Sequence, residues 1–237
     1  MIDGGHDVCA EELWNTLVML NGSEEGIVIR AWLITHSHSD HYGCFDAFSD
    51  IYAEKVSLET IMVSLLSTDS TSYMYGDFYS DASKYSGAKI LTVHTGMLFS
   101  FGDTKMEILF TPDELCIAEP ESIDANYNNS SIVSRIYNED SNCLFLGDAG
   151  ATVAYHLIAY YGDYLKSDMC QVAHHGVEEF PLIAYRLIKA ELLWYPCDTA
   201  LYNRSDRDAD VRKALRESKY TKEIILHDKA TTTIYFE

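Results

Sequence analysis

One short segment, residues 35–43, constrains this chain more than any other part of its sequence: Thr-His-Ser-His-Ser-Asp-His-Tyr-Gly. Three imidazoles and one carboxylate fall within six positions, directly after residues 27–35, an apolar and β-branched run. Such a run predicts a largely buried strand. Imidazole nitrogens combined with a carboxylate oxygen are the ligands that zinc and related divalent ions accept. The segment therefore predicts a metal site at the end of a strand.

The spacing of these ligands suggests how they could converge. Side chains alternate in an extended chain, so we expect His36, His38 and Asp40 to share one side. A turn at Tyr42-Gly43 would then bring His41 back toward them.

The rest of the chain predicts alternating helices and strands without repeats or linkers. Helices are expected at 11–20, 44–48, 77–85, 151–160, 182–189 and 210–218, and residues 56–66 are ambiguous. Strands are expected at 89–93, 131–137, 143–146, 169–173, 191–195, 224–226 and 231–236, with a hairpin of 98–101 and 105–110 around Gly102-Asp103. An early antiparallel block followed by alternating elements indicates a layered α/β architecture, with polar residues at strand ends.

The HxHxDH string at residues 36–41 resembles the signature of the metallo-β-lactamase superfamily. Asp3-Gly4-Gly5 ahead of it, Gly147-Asp148 at a later strand end and the pair His174-His175 follow that family's order of parts. The resemblance implies an α/β (α+β) fold, the four-layer αββα metallo-β-lactamase sandwich, as one domain over residues 1–237. Because the chain opens directly on the end of a strand, we expect that domain to lack its first strands.

Within that superfamily the chain resembles one branch more closely. The metallo-hydrolase domains of DNA-internalisation competence proteins and the phosphorylcholine esterases carry an Asn-rich stretch, then Gly-Asp after a strand, then His-His-Gly. The matching segments are residues 126–131, 144–148 and 174–176.

By this resemblance, the first metal takes His36, His38 and Asp148. The second takes Asp40, His41, Asp148 and one of His174 and His175. The remaining histidine of the pair would bind the substrate or protonate the leaving group, so Asp40, His174 and His175 are also the candidate catalytic residues.

One departure concerns a further histidine that many members place between the signature and the bridging aspartate. This sequence offers only His94, which we interpret as structural. Asn128 and Asn129 could line the site instead and, with His227 ahead of the last strand, are candidate substrate-binding residues. The turn interpretation of the asparagines remains open, as does a structural one for His227.

The predicted function is that of a metal-dependent hydrolase with two divalent ions, zinc first and manganese as the alternative. A shared water between two such ions becomes hydroxide near neutral pH and attacks the substrate. A phosphodiester or similar small ester is the first substrate hypothesis, and a thioester, lactone or lactam is the second. A catalytically silent metal-binding module is a third.

The composition of the chain limits which binding partners and which location are expected. The formal net charge of −20 disfavours long nucleic acid and favours a small-molecule ester. Six cysteines without a CxxC pair indicate reduced thiols and a cytoplasmic location. Charged residues interrupt the most apolar stretch, so no membrane interaction is expected.

Overall fold

The computed structural model describes residues 1–64, 78–113, 127–177, 180–205 and 209–227. The chain divides into two compact units, Met1–Val93 and His94–Glu237. The expectation of a single domain stays a prediction. The predicted strand at 231–236 and Asn126 of the Asn-rich stretch lie outside the described residues.

The first unit combines three α-helices with short parallel strands, counted over its described residues. The helices are α1 (Ala10–Asn21), α2 (Ser39–Tyr52) and α3 (Phe78–Ser83). The strands are β1 (Ile27–Ile29), β2 (Trp32–Leu33), β3 (Val56–Leu58), β4 (Thr60–Val63) and β5 (Lys89–Thr92). They form a two-stranded sheet, β1-β3, and a three-stranded sheet, β2-β4-β5, with every pairing parallel. No antiparallel pairing occurs in the described part of this unit, and the antiparallel block that the sequence predicts ahead of the alternating elements lies in the second unit.

The apolar run at 27–35 does not form the single strand predicted for it. The chain bends at Arg30, whose guanidinium reaches out to Glu59 at 2.8 Å, and β1 and β2 join different sheets. Burial on both sides of the bend leaves the apolar pattern continuous, so the pattern alone does not reveal the break.

The expected turn at Tyr42-Gly43 is wrong. Helix α2 begins inside the signature, with His38 as its N-cap residue and Asp40 and His41 in its first turn. The helix forms here because Tyr42, Phe45 and Phe48, at helical spacing, are all buried. The two phenylalanines pack edge-on against Trp32 at ring-centroid distances of 5.0 and 5.6 Å. The negative charge of Asp40 also suits the positive end of a helix.

The second unit is built on a seven-stranded sheet in the order β12-β11-β10-β9-β8-β7-β6. Its strands are β6 (Leu98–Phe101), β7 (Thr104–Phe110), β8 (Val133–Tyr137), β9 (Asn142–Phe145), β10 (Met169–Gln171), β11 (Leu192–Tyr195) and β12 (Glu223–Leu226). Its described helices are α4 (Ala151–Tyr161), α5 (Leu182–Ile188), α6 (Thr199–Tyr202) and α7 (Ala209–Arg216). The predicted hairpin is confirmed as β6 and β7, which pair antiparallel.

The sheet changes character along its width. Strands β6 to β9 pair antiparallel, whereas β9 to β12 pair parallel. Parallel strands present their carboxyl ends at one edge, and ligands of α/β proteins bind beyond such ends. Asp148 follows β9 and the pair His174-His175 follows β10 at this edge. Within the described ranges, no helix is long and apolar enough to cross a membrane.

Candidate functional site

The first unit brings the predicted histidines of the signature together. The ring centroid of His36 lies 4.7 Å from that of His38 and 4.2 Å from that of His41. His36 Nε2 faces His38 Nδ1 at 3.1 Å. We refer to His36, His38, Asp40 and His41 as the first-unit cluster. Three imidazoles converge in it, as a metal site requires.

A carboxylate from the start of the chain organises this cluster. Asp3 Oδ1 accepts the backbone N–H of Thr35 at 2.7 Å, and Asp3 Oδ2 accepts the Thr35 hydroxyl at 2.7 Å. The same Oδ2 lies 2.7 Å from His41 Nδ1. Since a carboxylate only accepts, the neutral ring of His41 carries its proton on Nδ1 and presents Nε2 as a lone pair.

The Thr35 hydroxyl fixes the proton position of a second imidazole in the same way. It gives its hydrogen to Asp3 and lies 3.2 Å from His36 Nδ1, so its oxygen can accept the N–H of that ring. His36 then also presents Nε2. Histidine ligands of metals ordinarily donate their other ring N–H to such a partner, which fixes the ring and its tautomer.

The second unit brings together Asp148, His174 and His175, the second-unit cluster. Asp148 is only 1% exposed, and its Oδ2 lies 3.8 Å from His174 Nε2 and 3.7 Å from His175 Nε2. These separations exceed a hydrogen bond. Two ligand atoms on one tetrahedral zinc ion lie about 3.4 Å apart, so a buried carboxylate facing imidazoles at this distance fits a cation.

The two histidines of the pair have different partners. His175 Nδ1 lies 2.6 Å from the carbonyl oxygen of Pro196, which can only accept a hydrogen bond. This ring therefore presents Nε2 as a lone pair. His174 instead faces an amide donor, since Asn128 Nδ2 lies 3.3 Å from its Nδ1 and 3.5 Å from its Nε2.

The loop that carries the pair has an unusual backbone. His174, His175 and Gly176 have φ values of 46°, 54° and 74°, in the left-handed region. A non-glycine residue there costs about 1–2 kcal/mol. The loop is held by the buried guanidinium of Arg212, whose Nη1 donates to Gly176 O at 2.7 Å and whose Nη2 donates to the Arg204 carbonyl. Such strain accumulates at functional sites.

The remaining candidates lie in different surroundings. Asn128 and Asn129 are buried in the 3₁₀ turn Tyr127–Ser130, and Asn128 contacts His174. His227 is exposed, and its backbone N–H donates to Cys197 O. His94 is half-exposed and bonds Asp113 through Nδ1.

The buried thiols close to the two clusters are protonated. Burial raises the pKa of Cys44, one helical turn beyond His41, to about 12, and the nearby Cys9 adds to the shift. Burial also raises the pKa of Cys170 well above its usual value. Among the described residues, the groups with metal-ligand geometry contain only histidine and aspartate.

The sequence did not reveal the organising roles of several residues: Asp3 and Thr35 in the first unit, and Ser131, Gln171 and Arg212 in the second. Ser131 Oγ accepts the backbone N–H of Asp148 at 3.0 Å. The one available signal was a polar residue inside an apolar run, as with Gln171 between Cys170 and Val172. Their partners are distant in sequence, so no local pattern identifies them.

Two of three comparisons with known proteins give no match: no protein-family model and no curated protein sequence matches this chain. Solved structures do match. The metallo-β-lactamase fold protein YhfI from Bacillus subtilis is similar over 97% of this chain and 84% of its own, at 10% identity and a TM-score of 0.55. The chain therefore has the metallo-β-lactamase fold, which confirms that prediction.

Two other structures are similar at lower TM-scores. CmlA, a diiron β-hydroxylase from Streptomyces venezuelae, matches 70% of this chain and 35% of its own, at 13% identity and a TM-score of 0.46. A metallo-β-lactamase from Cronobacter sakazakii matches 62% of this chain and 52% of its own, at 13% identity and a TM-score of 0.37. The fold assignment rests on YhfI alone.

Proposed function

We propose that this protein is a metal-dependent hydrolase whose two clusters jointly hold two divalent cations. His36, His38 and Asp148 would hold the first cation. Asp40, His41, Asp148 and His175 would hold the second. Zinc suits the imidazole-rich donor set, and manganese is the alternative.

The observation that carries this proposal is the orientation of the imidazoles within each unit. Asp3 Oδ2 beside His41 Nδ1 and Pro196 O beside His175 Nδ1 each place the ring proton away from Nε2. With Nδ1 bonded in this way, each neutral ring offers Nε2 as its acceptor atom. This arrangement matches the way proteins orient histidines for a metal.

The two histidines that the sequence left undistinguished take different roles in this proposal. His175 is the ligand, because its tautomer is fixed by a carbonyl. His174 is the substrate-side residue: with Asn128 donating to its nearer nitrogen, Nδ1, the ring proton sits on Nε2. That N–H would donate to a substrate oxygen. When bound, the cations would supply Lewis acidity and a lowered pKa for a bound water.

A small phosphodiester is the proposed substrate. It is supported by the resemblance to phosphorylcholine esterases and by a pair of divalent cations, which suits the oxygens of a phosphate group. The formal charge of −20 favours a small substrate over a polyanion. The five described cysteines are free, which supports the proposed cytoplasmic location.

The test combines metal content with turnover. Protein stripped by a chelator is reloaded with zinc or manganese, its bound metal is counted, and hydrolysis of bis-(p-nitrophenyl) phosphate is measured. We expect two ions per chain and metal-dependent turnover. Asp148→Asn should lose metal and activity, whereas Asp163→Asn, at a side chain 87% exposed, should retain both.

Other outcomes separate the alternatives. Hydrolysis of a thioester, lactone or lactam, with no phosphodiesterase activity in the presence of any metal, would refute the phosphodiester as substrate. The assignment as a metal-dependent hydrolase would stand. Fewer than two bound ions per chain at saturating metal, with no hydrolysis of any substrate, would refute the assignment as an enzyme. The protein would then be a catalytically silent metal-binding module.

A further inference from the structure

Gln171, the last residue of β10, spans the space between the two loops of the second-unit cluster. Its side chain is buried and makes four hydrogen bonds. Oε1 accepts the backbone N–H groups of Leu146 and Gly147, both at 2.8 Å. Nε2 donates to Gly147 O at 3.1 Å and to Val172 O at 2.6 Å. The amide thereby uses its whole bonding capacity, two acceptor sites and two donors.

These bonds replace a ladder that ends at this point. Strands β9 and β10 pair in parallel as far as Phe145 opposite Gln171. Beyond Phe145 the chain turns through Gly147, at φ 55°, toward Asp148. The backbone groups of this turn are buried, and leaving them without partners would cost about 1–3 kcal/mol each. A side-chain amide reaching across from β10 satisfies them.

The Gly147 carbonyl also joins this network to the histidine loop. It accepts the N–H of His174 at 3.0 Å in addition to Gln171 Nε2. The segment that ends in Asp148 and the segment that begins at His174 are therefore tied to one peptide group. A shift of that group would alter the 3.7 Å separation between Asp148 Oδ2 and His175 Nε2.

We infer that Gln171 is a positioning residue that sets the spacing between Asp148 and His175, and through it the affinity for the second cation. The inference rests on the proposed function, since it concerns the ligands of that site. Gln171 itself touches neither cation nor substrate. A polar side chain buried in an apolar strand needs such a reason, because a leucine or methionine there would bury more apolar surface.

The experiment measures cation binding directly. Gln171→Met keeps the length of the side chain and removes all four bonds. Gln171→Glu keeps the acceptor for Leu146 and Gly147 and loses both donors. Affinities for the two cations are measured by chelator competition at a temperature where each variant is folded, and the second site is followed by the visible absorption of bound cobalt.

We expect Gln171→Met to weaken binding of the second cation by about tenfold and to alter the absorption spectrum of cobalt bound there. Mutation of the residues that hold metal ligands in place has an effect of this size. The first cation shares Asp148 but not His175, so its affinity should fall less than that of the second. Gln171→Glu places a carboxylate oxygen against the carbonyl oxygens of Gly147 and Val172, so it should weaken binding of the second cation at least as much, and it gives the comparison should the methionine variant not fold.

A matched control separates positioning from general stability. Arg135 is another buried polar side chain of this sheet, and its Nη2 donates to the Tyr164 carbonyl. Arg135→Met should lower the unfolding temperature and leave both affinities unchanged. Unchanged second-cation affinity in both Gln171 variants would overturn the positioning role alone. Failure of the wild-type protein to bind a second cation would overturn both this inference and the proposed function.

Discussion

At the scale of single residues, Asp3 shows how one carboxylate can determine the hydrogen bonding of two other side chains. It accepts three hydrogen bonds, two from Thr35 and one from His41. Its backbone has a φ of 48°, unfavourable for a non-glycine residue. The position is held by bonds from Asp3 N to Leu33 O and from Gly4 N to His41 O. The conformation aims the carboxylate at the signature.

Asp3→Asn tests whether that carboxylate fixes the tautomer. The amide has nearly the same shape, but its NH₂ group cannot accept from His41 Nδ1–H. The imidazole proton would then move to Nε2, and Nε2 would cease to be a ligand. We expect about ten- to a hundredfold weaker binding of the second cation, measured by chelator competition. Asp7→Asn, nearby and exposed, should bind as wild type. Equal affinities for all three proteins would refute the role of Asp3.

At the scale of elements, the loop from His174 to Gly176 depends on contacts from neighbouring segments. Arg212 on α7 holds its last carbonyl, and the hydroxyl of Tyr185 on α5 accepts the N–H of Ala173 at 3.1 Å. Gly176 lies against the ring of Tyr195 on β11: a Cβ there would meet Tyr195 Cε1 at 2.4 Å. The loop has room for glycine alone at this position.

Gly176→Ala should therefore cost more than the same change at a glycine with open space around it. Gly22 provides the comparison, since it also has a positive φ, 75°, and nothing lies within 4 Å of a Cβ at that position. Backbone strain alone should cost Gly22→Ala about 1 kcal/mol of unfolding free energy. The overlap with Tyr195 should add about 1–3 kcal/mol to Gly176→Ala. Equal losses in urea denaturation would contradict the tight packing.

Elements with strong local signals could be predicted from sequence, whereas those defined by distant partners could not. Helix α1 and the β6-β7 hairpin carry their periodicity and turn residues within the segment itself. The start of α2 was missed because the alternation of histidines fits a strand as well as a helix terminus. The bonds of Asp3 to His41 and of Gln171 to Gly147 span 38 and 24 positions, and they form only in the folded chain.

The candidate ligands were predictable for a different reason. Histidine and aspartate at fixed spacing are rare in apolar surroundings, so the signature is readable without coordinates. Choosing between His174 and His175 was not possible, because the choice depends on what each ring contacts. Pro196 O and Asn128 Nδ2 supply that information only once β9, β10 and β11 are aligned.

At the scale of the whole molecule, buried thiols link stability to alkaline pH. Burial raises the pKa of Cys143 and of Cys44 to about 12. The same thiols have a pKa of about 8.5 when unfolded. The folded state therefore holds more protons between these values. The contribution of the thiols to the free energy of unfolding is fully present below the unfolded pKa and is lost as pH rises through this window.

Cys143→Ala isolates one such contribution. Each protonated thiol should reduce the unfolding free energy by about 1.4 kcal/mol per pH unit between about pH 9 and pH 11. The variant should lose stability at neutral pH from the smaller side chain, but its decline with pH should be shallower by that amount. Urea denaturation across the range gives both slopes, and parallel slopes would show that the thiol of Cys143 ionises freely in the folded protein.

The proposal that both clusters hold one pair of cations is tested by diffraction at the zinc absorption edge from crystals soaked in zinc and phosphate. We expect two anomalous peaks, each about 2.0–2.2 Å from a carboxylate oxygen of Asp148. His36 and His38 should contact one peak, and His41 and His175 the other. Peaks that leave Asp148 outside coordination distance of every cation would refute the proposed site.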